Sequence, residues 1–579
     1  MQRVWRIANH DAALIADLER SAGVPAIVAQ LLVARGVTAA DDARRFLDAK
    51  LTGLYEPERL PGVSAAADRI HAAIERQTPI CVYGDYDCDG MTAIAILVRC
   101  LRMLGGKVRT YVPNRMEEGY GLNCEALTQI HGRGDRLVVT VDCGVASLLE
   151  AEHARQIGLE LIVTDHHQMT EALPQADVVV HPALPGGGYP FPSLCGAGVA
   201  LKLAWAICQR ASGATKVSPR MRSFLLQAVG LSAIGTVADV VPLLDENRIL
   251  VRHGLVSLRA NPPTGLARLM AITGLAKKPE LSAEDIAFTI GPRLNAAGRL
   301  GQAALAVELL LTEDEDRARS LAEYIHQLNE SRGSLERSVY RAAHKQLKES
   351  FDPERDPAFV LADHGWHGGI IGIVAGRLAE KYHRPVVVIS LDEAGVRPGA
   401  GSVRSVAGVD VHRALAVCEE TLLGFGGHRA AAGLTIDPQH IDAFRNSFCE
   451  AVAAERGADA APPEIAADAQ TPLGQLTLGV VKQIESLGPF GSGNPRPLLI
   501  ASGVSLAGEP KRIGGGERHL SVRLRQSQRV FKAVGFGLAE RIEELNGGPL
   551  DIAFHPMLNH FAGRVSVELQ LIDWRPAEG

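Results

Sequence analysis

Short apolar runs alternate with helical patterns between residues 80 and 182. The runs that predict buried strands are ICVYG (80–84), KVRTYVP (107–113), LVVTVD (137–142), ELIVTD (160–165) and DVVVHP (177–182). Between the first two, TAIAILVRCLRMLG (92–105) has the spacing of a helix. Because short apolar strands separated by helices are typical of a parallel sheet covered on both faces, we predict an α/β domain here.

The pattern on either side of this region predicts further units. Residues 1–75 have the periodicity of short helices, with Ser64 as a candidate N-cap. We assign residues 76–312 to the first α/β domain. The charged stretch 313–350 predicts a long connecting helix or helix pair, in which Gly333 costs roughly 1 kcal/mol relative to Ala and favours a kink or break.

The C-terminal half predicts two more domains. Residues 351–455 have the pattern of a second α/β unit, and the Ala/Pro-rich stretch 456–470 is typical of a linker. Residues 466–575 contain about five short strands separated by turns. That pattern predicts a small β-barrel, of which the OB-fold is one option.

Composition narrows the class of protein. A chain of 579 residues is too long to fold around one hydrophobic core, so three or more domains are expected. The nine cysteines contain no CxxC pair and suit a reducing cytoplasm. The N-terminus has no apolar signal core and no run of 18 apolar residues occurs, so we expect a cytoplasmic protein without a membrane span. The net charge of −6 gives no global basic field, although a local groove can still be basic.

Acidic and histidine residues follow the predicted strands. They are Asp85, Asp87 and Asp89 after the first strand, Asp142 after the third, and Asp165, His166 and His167 after the fourth. The carboxyl ends of parallel strands meet at one edge of a sheet, where ligands bind. Three carboxylates as close as the first set repel one another unless cations neutralise them. An EF-hand is disfavoured because its last ligand position lacks Glu.

Each of these groups also has a simpler interpretation. A lone DxD is most often a solvated turn, and Asp142 alone would more often be a helix cap. Asp165 can cap a helix beside two incidental surface histidines. Asp239, within GTVADVVPL (235–243), can be a buried and satisfied carboxylate. Their recurrence at strand ends favours a divalent-metal site suited to phosphoryl hydrolysis.

The motifs together carry a family resemblance. GDYDCDG, VDCG, DHH and GTVADVVPL resemble the four motifs of the DHH phosphoesterase superfamily, in its RecJ-type exonuclease branch. The likeness extends in order through GPRLNAAGRLG (291–301), GSVRS (401–405), GFGGHRAAAG (424–433) and LGPFGSGNPRP (487–497). It implies a DHH domain, a DHHA1-type second domain and an OB-like third domain. It also implies 5′-to-3′ hydrolysis of single-stranded DNA in repair and recombination.

The resemblance also implies roles for individual residues. Family metal ligands correspond to Asp87, Asp89, Asp142, His166 and Asp239, with Asp85 close by, and His167 resembles a contact to the scissile phosphate. Arg293, Asn295 and Arg299 resemble the cleft motif, and His428 ends the GGH signature of the second domain. Two positions depart from the family pattern: His181, where Asn is usual, and Gly333.

Physical chemistry adds three expectations. Two divalent ions about 3.5–4 Å apart can activate a water and neutralise a leaving oxygen. Asp142 is the candidate bridge, and a mixed Asp/His ligand set suits Mn²⁺ at least as well as Mg²⁺. A 5′-phosphate pocket is expected from Arg115, Ser402 and Arg404, unless the arginines pair with Glu117, Glu118 or Asp410 instead.

The barrel region carries a one-signed basic cluster. Its members are Lys511, Arg512, Arg518, Arg523, Arg525, Arg529 and Lys532. Such a cluster can follow a phosphate backbone, with Phe531 or Phe536 stacking on bases, although a solvated strand face is the simpler interpretation. We expect removal of residues after about 470 to weaken binding of long strands and to spare the chemical step.

Three other functions remain open at this level. They are hydrolysis of a small substrate such as a cyclic dinucleotide, very short RNA or pyrophosphate, an inactive scaffold in a replication complex, and metal storage. The chain length argues against a small-substrate hydrolase. The complete ligand set argues against an inactive scaffold, and the arginine-rich cleft motifs argue against metal storage. The expected partners are single-stranded DNA and, beyond it, a helicase and a single-strand-binding protein, and we expect a monomer.

Overall fold

The chain begins with a strand and three helices that pack against the C-terminal domain. The computed structural model describes residues 4–115, 118–119, 121–352, 355–456, 464–561 and 563–577. The first elements are β1 (Val4–Ile7), α1 (Ala12–Ala22), α2 (Ala26–Ala34) and α3 (Ala40–Asp48). Leu18 and Leu31 share a core with Leu473, Leu487 and Trp574. Helices α1, α2 and α3 therefore pack in the core of the C-terminal domain.

A parallel sheet forms the centre of the first domain. Its elements are α4 (Val63–Glu75), β2 (Ile80–Gly84), α5 (Cys88–Met103), β3 (Val108–Tyr111), α6 (Cys124–Gly132), β4 (Leu137–Val141), α7 (Leu148–Gln156), β5 (Glu160–Thr164), β6 (Val178–Val180) and α8 (Gly196–Ser212). The strand order is β3-β2-β4-β5-β6, and every pairing is parallel. Helix α4 begins at Val63 after Gly62, so the Ser64 N-cap prediction is wrong.

Helices complete this domain on the side of the strand ends. They are α9 (Pro219–Ala238), α10 (Asp245–Ala260), α11 (Thr264–Ile272), α12 (Ala283–Asp285), α13 (Gly291–Arg299) and α14 (Ala303–Leu311). By length and composition alone, α9 could cross a membrane, but 56% of its apolar window is buried inside the structure. It packs between α5, α8 and α10, as a core helix does.

One continuous helix connects the first domain to the second. Helix α15 (Glu315–Ser350) runs through Gly333, so the predicted break there is wrong. The second domain follows with β7 (Phe359–His364), α16 (Gly368–Tyr382), β8 (Val386–Leu391), β9 (Gly399–Arg404), α17 (Val411–Val417), β10 (Gly424–His428), β11 (Ala431–Ile436) and α18 (Ile441–Arg456). Its mixed sheet has the order β10-β11-β9-β8-β7.

A closed barrel forms the third domain. Its elements are β12 (Glu464–Ala467), β13 (Ala469–Gln470), α19 (Leu478–Glu485), β14 (Leu499–Leu506), β15 (Lys511–Ile513), β16 (His519–Gln526), β17 (Arg529–Gly535), β18 (Leu550–Phe561) and β19 (Arg564–Pro576). The order β14-β18-β19-β17-β16 closes through a β14–β16 pairing. Of the predicted linker 456–470, residues 457–463 lie outside the described residues, and β12 pairs with β1.

Candidate metal centre and substrate cleft

Three carboxylates lie where β2 turns into α5. Asp87 caps α5 by accepting hydrogen bonds from the amides of Asp89 (2.9 Å) and Gly90 (3.0 Å). Asp89 accepts from the amides of Gly196 (2.6 Å) and Ala197 (2.9 Å) at the start of α8. Helix N-terminal amides stabilise a buried negative charge, so α8 holds Asp89 in place.

Asp142 follows β4 in a constrained position. Its φ of 63° is in the left-handed region, which non-glycine residues adopt uncommonly and which clusters at functional sites. Only 1% of its surface is exposed. A Cβ on Gly196 would lie 2.5 Å from Asp142 Oδ1, so the glycine is required for this close approach.

The segment after β5 presents two histidines to the same place. His166 Nε2 lies 3.1 Å from Asp142 Oδ1, 3.6 Å from Asp239 Oδ2 and 3.8 Å from Asp89 Oδ2. Asp239 ends α9 as its C-cap. Four separate strand and helix ends thus converge on one point.

Asp165 orients the neighbouring His167. Its carboxylate lies 2.8 Å from His167 Nδ1 and accepts from the amide of Val145 at 2.9 Å. Burial alone would raise the pKa of Asp165, but the hydrogen bond from His167 lowers it. Burial lowers the pKa of His167, and the bond and charge of Asp165 outweigh this and raise the pKa to about 9.

The ligand atoms form overlapping sets whose members lie within 4.8 Å of one another. These sets are Asp89, His166 and Asp239; Asp85, Asp87 and Asp142; and Asp142, His166 and His167. Burial, then the charges of Asp89 and Asp87, raises the pKa of Asp142 well above its usual value. The same causes raise the pKa of Asp239 to about 8.

The arrangement fits divalent cations. Asp85 Oδ1 and His166 Nε2 are buried and have no hydrogen-bond partner among the residues that the structure describes. Unsatisfied buried polar atoms are costly, and bound cations would satisfy these two. Carboxylate oxygens with one or two imidazoles suit Mn²⁺ and Mg²⁺.

A cavity of about 290 Å³ opens beside these ligands. It is lined by Asp85, Tyr86, Asp87, Arg115, His167, Ala238, Asn295, Gly298 and Arg299. Burial, followed by the neighbouring charges of Arg115, Arg332 and Arg404, lowers the pKa of Arg299 to about 10. Guanidinium groups that repel one another in this way form a site for an anion.

Comparison with known proteins places all three domains. The profile of the "DHH family, N-terminal domain" matches residues 79–231, that of the "DHHA1 domain" matches 355–454, and that of the "RecJ OB domain" matches 467–573. The Escherichia coli single-stranded-DNA-specific exonuclease RecJ is 34% identical over 98% of this chain and 99% of its own length. The Thermus thermophilus RecJ is 37% identical over 90% of this chain and 72% of its own.

The chain belongs to the RecJ family. Its fold matches the crystal structure of RecJ from Thermus thermophilus in complex with Mn²⁺, with a TM-score of 0.81, 32% identity and coverage of 100% of this chain and 80% of that one. A second crystal structure of the same RecJ contains Mg²⁺. The resemblance and the fold class predicted from the motifs are therefore confirmed.

Two cleft residues with predicted roles lie in different surroundings. Asn295 lines the cavity, and its Oδ1 accepts from the amide of Cys88 at 2.8 Å, so it fixes the start of α5. Arg293 lies against α15, where it contacts His326 Nδ1 (3.1 Å) and donates to the carbonyl of Thr289 (2.8 Å). In this RecJ-family chain Arg293 is thus placed to hold the connecting helix.

Two histidines outside the metal ligands also have defined places. His181 is buried, and its Nε2 lies 2.9 Å from the carbonyl oxygen of His167. His181 therefore contacts the backbone of His167. The departure at this position therefore affects the backbone of His167 and of the adjacent candidate ligand His166. His428 is exposed at the end of the edge strand β10, opposite Ala431.

The barrel presents part of its basic cluster on one face. Arg523 pairs with Lys532 across β16 and β17, and Lys511 pairs with Ser521 across β15 and β16. Arg523 and Arg525 alternate with buried residues and point outward, with Lys511 and Lys532 on the same face. Lys532 is paired with Glu568 at 2.8 Å. Arg512, Arg518 and Arg529 are exposed elsewhere on the same strands and turns.

The two predicted stacking aromatics differ in exposure. Phe531 is 9% exposed and belongs to the barrel core, so its prediction as a base-stacking residue is wrong. Phe536 is 61% exposed and contacts the ring of His519 edge-on, with centroids 5.4 Å apart. A strand pattern alone predicts that alternate residues face inward, and Phe531 follows that alternation.

Sequence reasoning missed Arg332 and the role of Tyr86. Arg332 lies on α15, far along the chain from every motif, and no local signal distinguishes it from other helix arginines. Tyr86 lies between two acidic ligands, and the Arg115 guanidinium stacks on its ring at 5.0 Å. The close approach of α13 to Tyr86 requires Gly298, whose Cβ would be 2.1 Å from the Tyr86 carbonyl.

Proposed function

We propose that this chain is a metal-dependent exonuclease that hydrolyses single-stranded DNA. The observation that carries the proposal is the convergence of Asp87, Asp89, Asp142, His166 and Asp239 beside an arginine-lined cavity. RecJ relatives with this domain set are named single-stranded-DNA-specific exonucleases. The carboxylates would hold Mn²⁺ or Mg²⁺, and Asp142, which belongs to two of the three ligand sets, is the residue that could be shared between two ions.

The chain's own residues divide the remaining work. Bound divalent cations supply charge neutralisation for an in-line displacement at phosphorus. His167, held by Asp165 on the cavity wall, contacts the scissile phosphate and orients it. Arg299, which also lines the cavity, adds positive charge where the phosphate would lie. Residues held by fixed partners in this way need little reorganisation during reaction.

A pocket for a 5′-terminal phosphate is proposed between the first two domains. Arg404 Nη1 donates to Ser402 Oγ at 3.0 Å on β9, and Arg115 comes from the first domain. Gly372 on α16 leaves room for both, since its Cβ would lie 2.9 Å from Ser402 Oγ and 3.0 Å from Arg404 Nη2. A narrow passage between domains would exclude a duplex by its width and so select single strands.

The contacts of acidic neighbours support this pocket over simple ion pairing. Glu118 accepts from the hydroxyl of Tyr111 (2.7 Å) and the amide of Asn114 (2.8 Å). Asp410 caps α17 by accepting from the amide of His412 (3.0 Å). Glu117 lies outside the described residues. Arg115 lies over the Tyr86 ring at 5.0 Å, and Arg404 donates to Ser402 Oγ (3.0 Å) and to the carbonyl of Val403 (2.8 Å), so none of these contacts uses a carboxylate.

The function is tested by digestion of end-labelled strands. Single and double strands carrying 5′ or 3′ label are incubated with Mg²⁺ or Mn²⁺ and with chelator. We expect release of the 5′ label from single strands only, and only with metal. Degradation restricted to dinucleotides would favour a small-substrate phosphodiesterase, and first release of the 3′ label would contradict the direction.

The pocket is tested with strands that carry a 5′-phosphate or a 5′-hydroxyl. Wild type is expected to prefer the phosphate, and Arg404→Ala to lose most of that preference because a guanidinium fork matches phosphate oxygens. The matched control is Arg413→Ala in the same domain, whose side chain is exposed and pairs with Glu455. Retention of the preference by both Arg404→Ala and Arg115→Ala would show that the pocket is elsewhere.

The cellular setting is proposed on the same basis. All nine cysteines are free thiols in the structure, which suits a reducing cytoplasm. An exonuclease for single strands acts in repair and recombination downstream of a helicase, and a single-strand-binding protein would share its substrate. We propose a monomer, tested by light scattering with and without DNA.

A further inference from the structure

Asp239 differs from the ligands Asp87 and Asp89 in how its carboxylate is held. Asp87 and Asp89 each accept backbone amide hydrogen bonds. Among the described residues, Asp239 has no such hydrogen bond to its carboxylate, whose nearest cationic partner atom is His166 Nε2 at 3.6 Å. Its position therefore depends on the backbone that carries it.

The backbone after Asp239 is strained. Val240 has a φ of 62°, which is an outlier for a β-branched residue, and its side chain is 68% exposed. Such a conformation persists only where the surroundings impose it. Since the Val240 side chain is mostly in solvent, its own packing does not impose this conformation. Its amide donates to the carbonyl of Val237 at 3.3 Å, and the residues that follow it are held as well.

Those residues contact a turn of the barrel domain. The amide of Leu243 donates to the carbonyl of Ser492 at 2.7 Å. A Cβ on Gly491 would lie 2.7 Å from Leu243 Cδ1, and one on Gly493 would lie 3.0 Å from Pro242 Cβ. Leu243 itself is 2% exposed. The turn 491–493 thus contacts Pro242 and Leu243 closely, at one edge of a cavity of about 480 Å³ that Val240, Leu243 and Gly491 also line.

Both sides of this contact are fixed independently. On the barrel side, buried Asn494 donates to the carbonyls of Leu487 and Pro489, both at 2.9 Å, and accepts from Arg35 Nε at 3.0 Å. On the other side, buried Asn247 donates to the carbonyls of Pro242 (3.0 Å) and Ser193 (2.6 Å). Ser193 precedes α8, whose amides hold Asp89.

We propose that the barrel-domain turn 491–493 is a positioning element that holds the metal ligand Asp239 through Leu243. The inference rests on the proposed metal centre and adds a role for the third domain that is separate from DNA binding. Contacts behind a ligand orient it, and their loss typically lowers metal affinity by about 10–100-fold.

The test is Gly491→Ala, whose added methyl group displaces Leu243. Mn²⁺ binding is measured by calorimetry on the full chain without DNA, alongside turnover at limiting and saturating Mn²⁺. We expect the Mn²⁺ dissociation constant to rise about tenfold, and turnover to recover at saturating Mn²⁺. The matched control is Gly474→Ala in the same domain, where a Cβ meets nothing within 4 Å, and it should bind Mn²⁺ as wild type does.

A double variant separates positioning from general damage. In Gly491→Ala/Leu243→Ala the smaller residue makes room for the methyl group, so the loss of Mn²⁺ affinity should be smaller than the sum of the two single losses. If Gly491→Ala does not fold, Leu243→Ala is measured alone and should still weaken Mn²⁺ binding.

Three results would overturn the inference. The first is a folded Gly491→Ala that binds Mn²⁺ as tightly as wild type. The second is strict additivity in the double variant, and the third is wild-type affinity in Leu243→Ala. Failure of the wild-type chain to bind Mn²⁺ would be different, because it would contradict the proposed function on which the inference rests.

Discussion

Asp142 is the residue whose surroundings depend most on bound cations. It is buried, lies in the left-handed region of backbone conformation and is surrounded by the carboxylates of Asp85, Asp87 and Asp89. Burial and these charges raise its pKa, so an ionised Asp142 destabilises the metal-free protein. The same charge attracts cations when they are present.

Replacement by the isosteric amide is therefore expected to act in two directions. Asp142→Asn should remove nearly all hydrolysis, by at least about 10³-fold, because the candidate bridge between metals is lost. In the presence of chelator it should unfold at a higher temperature than wild type, since the amide has no charge to repel its neighbours. Thermal unfolding with chelator and with Mn²⁺ checks both statements. A variant with wild-type turnover would contradict the two-metal assignment.

The pH dependence of the metal-free protein follows from Asp239. Its pKa is raised to about 8 by burial and by Asp89 and Asp87. In the unfolded chain the pKa of an aspartate is about 4. Because the carboxyl group binds a proton more tightly in the folded protein, the free energy of unfolding falls as the pH rises from about 4 to about 8. Urea unfolding of the chelated protein at pH 5 and pH 8 should show this loss. Asp239→Asn should show a smaller loss, and an equal loss in both would assign the effect to other groups.

At the scale of elements, α15 is a single rigid connection despite its glycine. The helix is unbroken from Glu315 to Ser350, and a Cβ on Gly333 would meet only Arg337 Nη1, at 3.5 Å. Near the glycine, Glu336 pairs with Arg332 of the same helix (3.0 Å) and with Arg377 of α16 (2.6 Å), and α15 also packs on α11, α13 and α16. Tertiary contacts thus outweigh a weak local propensity.

Gly333→Ala is expected to stabilise the chain. Removing a glycine from a helix interior gains about 1 kcal/mol, because the unfolded chain loses conformational freedom. The free energy of unfolding of the chain, measured by urea denaturation, should rise by this amount, and turnover should not change. Reduced turnover at unchanged Mn²⁺ affinity would instead show that the helix bends at Gly333 during the reaction.

The outward strand face of the barrel carries a second prediction at this scale. Arg523→Ala/Arg525→Ala should weaken binding of long single strands and flatten its salt dependence by about 0.7 per lost phosphate contact. Arg20→Ala/Arg45→Ala is the control, since it removes equal charge from exposed helix positions. Equal salt slopes for the two double variants would mean that this face does not contact DNA.

At the scale of the whole molecule, the three domains are joined by more than the connecting helix. The first three helices complete the core of the C-terminal domain, and β1 pairs with β12 across more than 450 residues of chain. Arg248 of α10 donates to the carbonyls of Phe46 and Leu487, which belong to the first helices and the barrel domain. The barrel domain is therefore packed directly against the first helices and against the domain that carries the proposed metal centre.

Truncation after about residue 470 is consequently expected to do more than weaken DNA binding. It removes the partners of Leu18 and Leu31 and exposes their apolar surfaces, and it frees the segment after Asp239. The truncated chain should aggregate or lose Mn²⁺ binding, which replaces the expectation that chemistry is spared. A soluble truncated protein with wild-type turnover on short strands, measured by size exclusion and digestion, would contradict this.

The sequence by itself determined the elements and the chemical character of the site. Short apolar runs in the sequence predict the strands β2, β4 and β5. The acidic residues that directly follow these strands can be assigned to one edge of the sheet, because parallel strands align their carboxyl ends. These inferences depend only on neighbours along the chain. The apolar spacing predicts this helix from Thr92, whereas α5 begins at Cys88 because Asp87 caps it, and Asp87 is also a candidate ligand.

The tertiary structure alone decided which distant groups act together. Nothing near Gly491 in the chain points to Leu243, and nothing near Arg332 points to Arg299, because each pair approaches only where elements distant in the sequence pack together. The sharing of a core between residues 12–48 and the barrel likewise has no local signal, since an apolar helix face does not specify its partner. Local periodicity indicates which face of a helix or strand is buried, and only the tertiary structure determines which other element packs against that face.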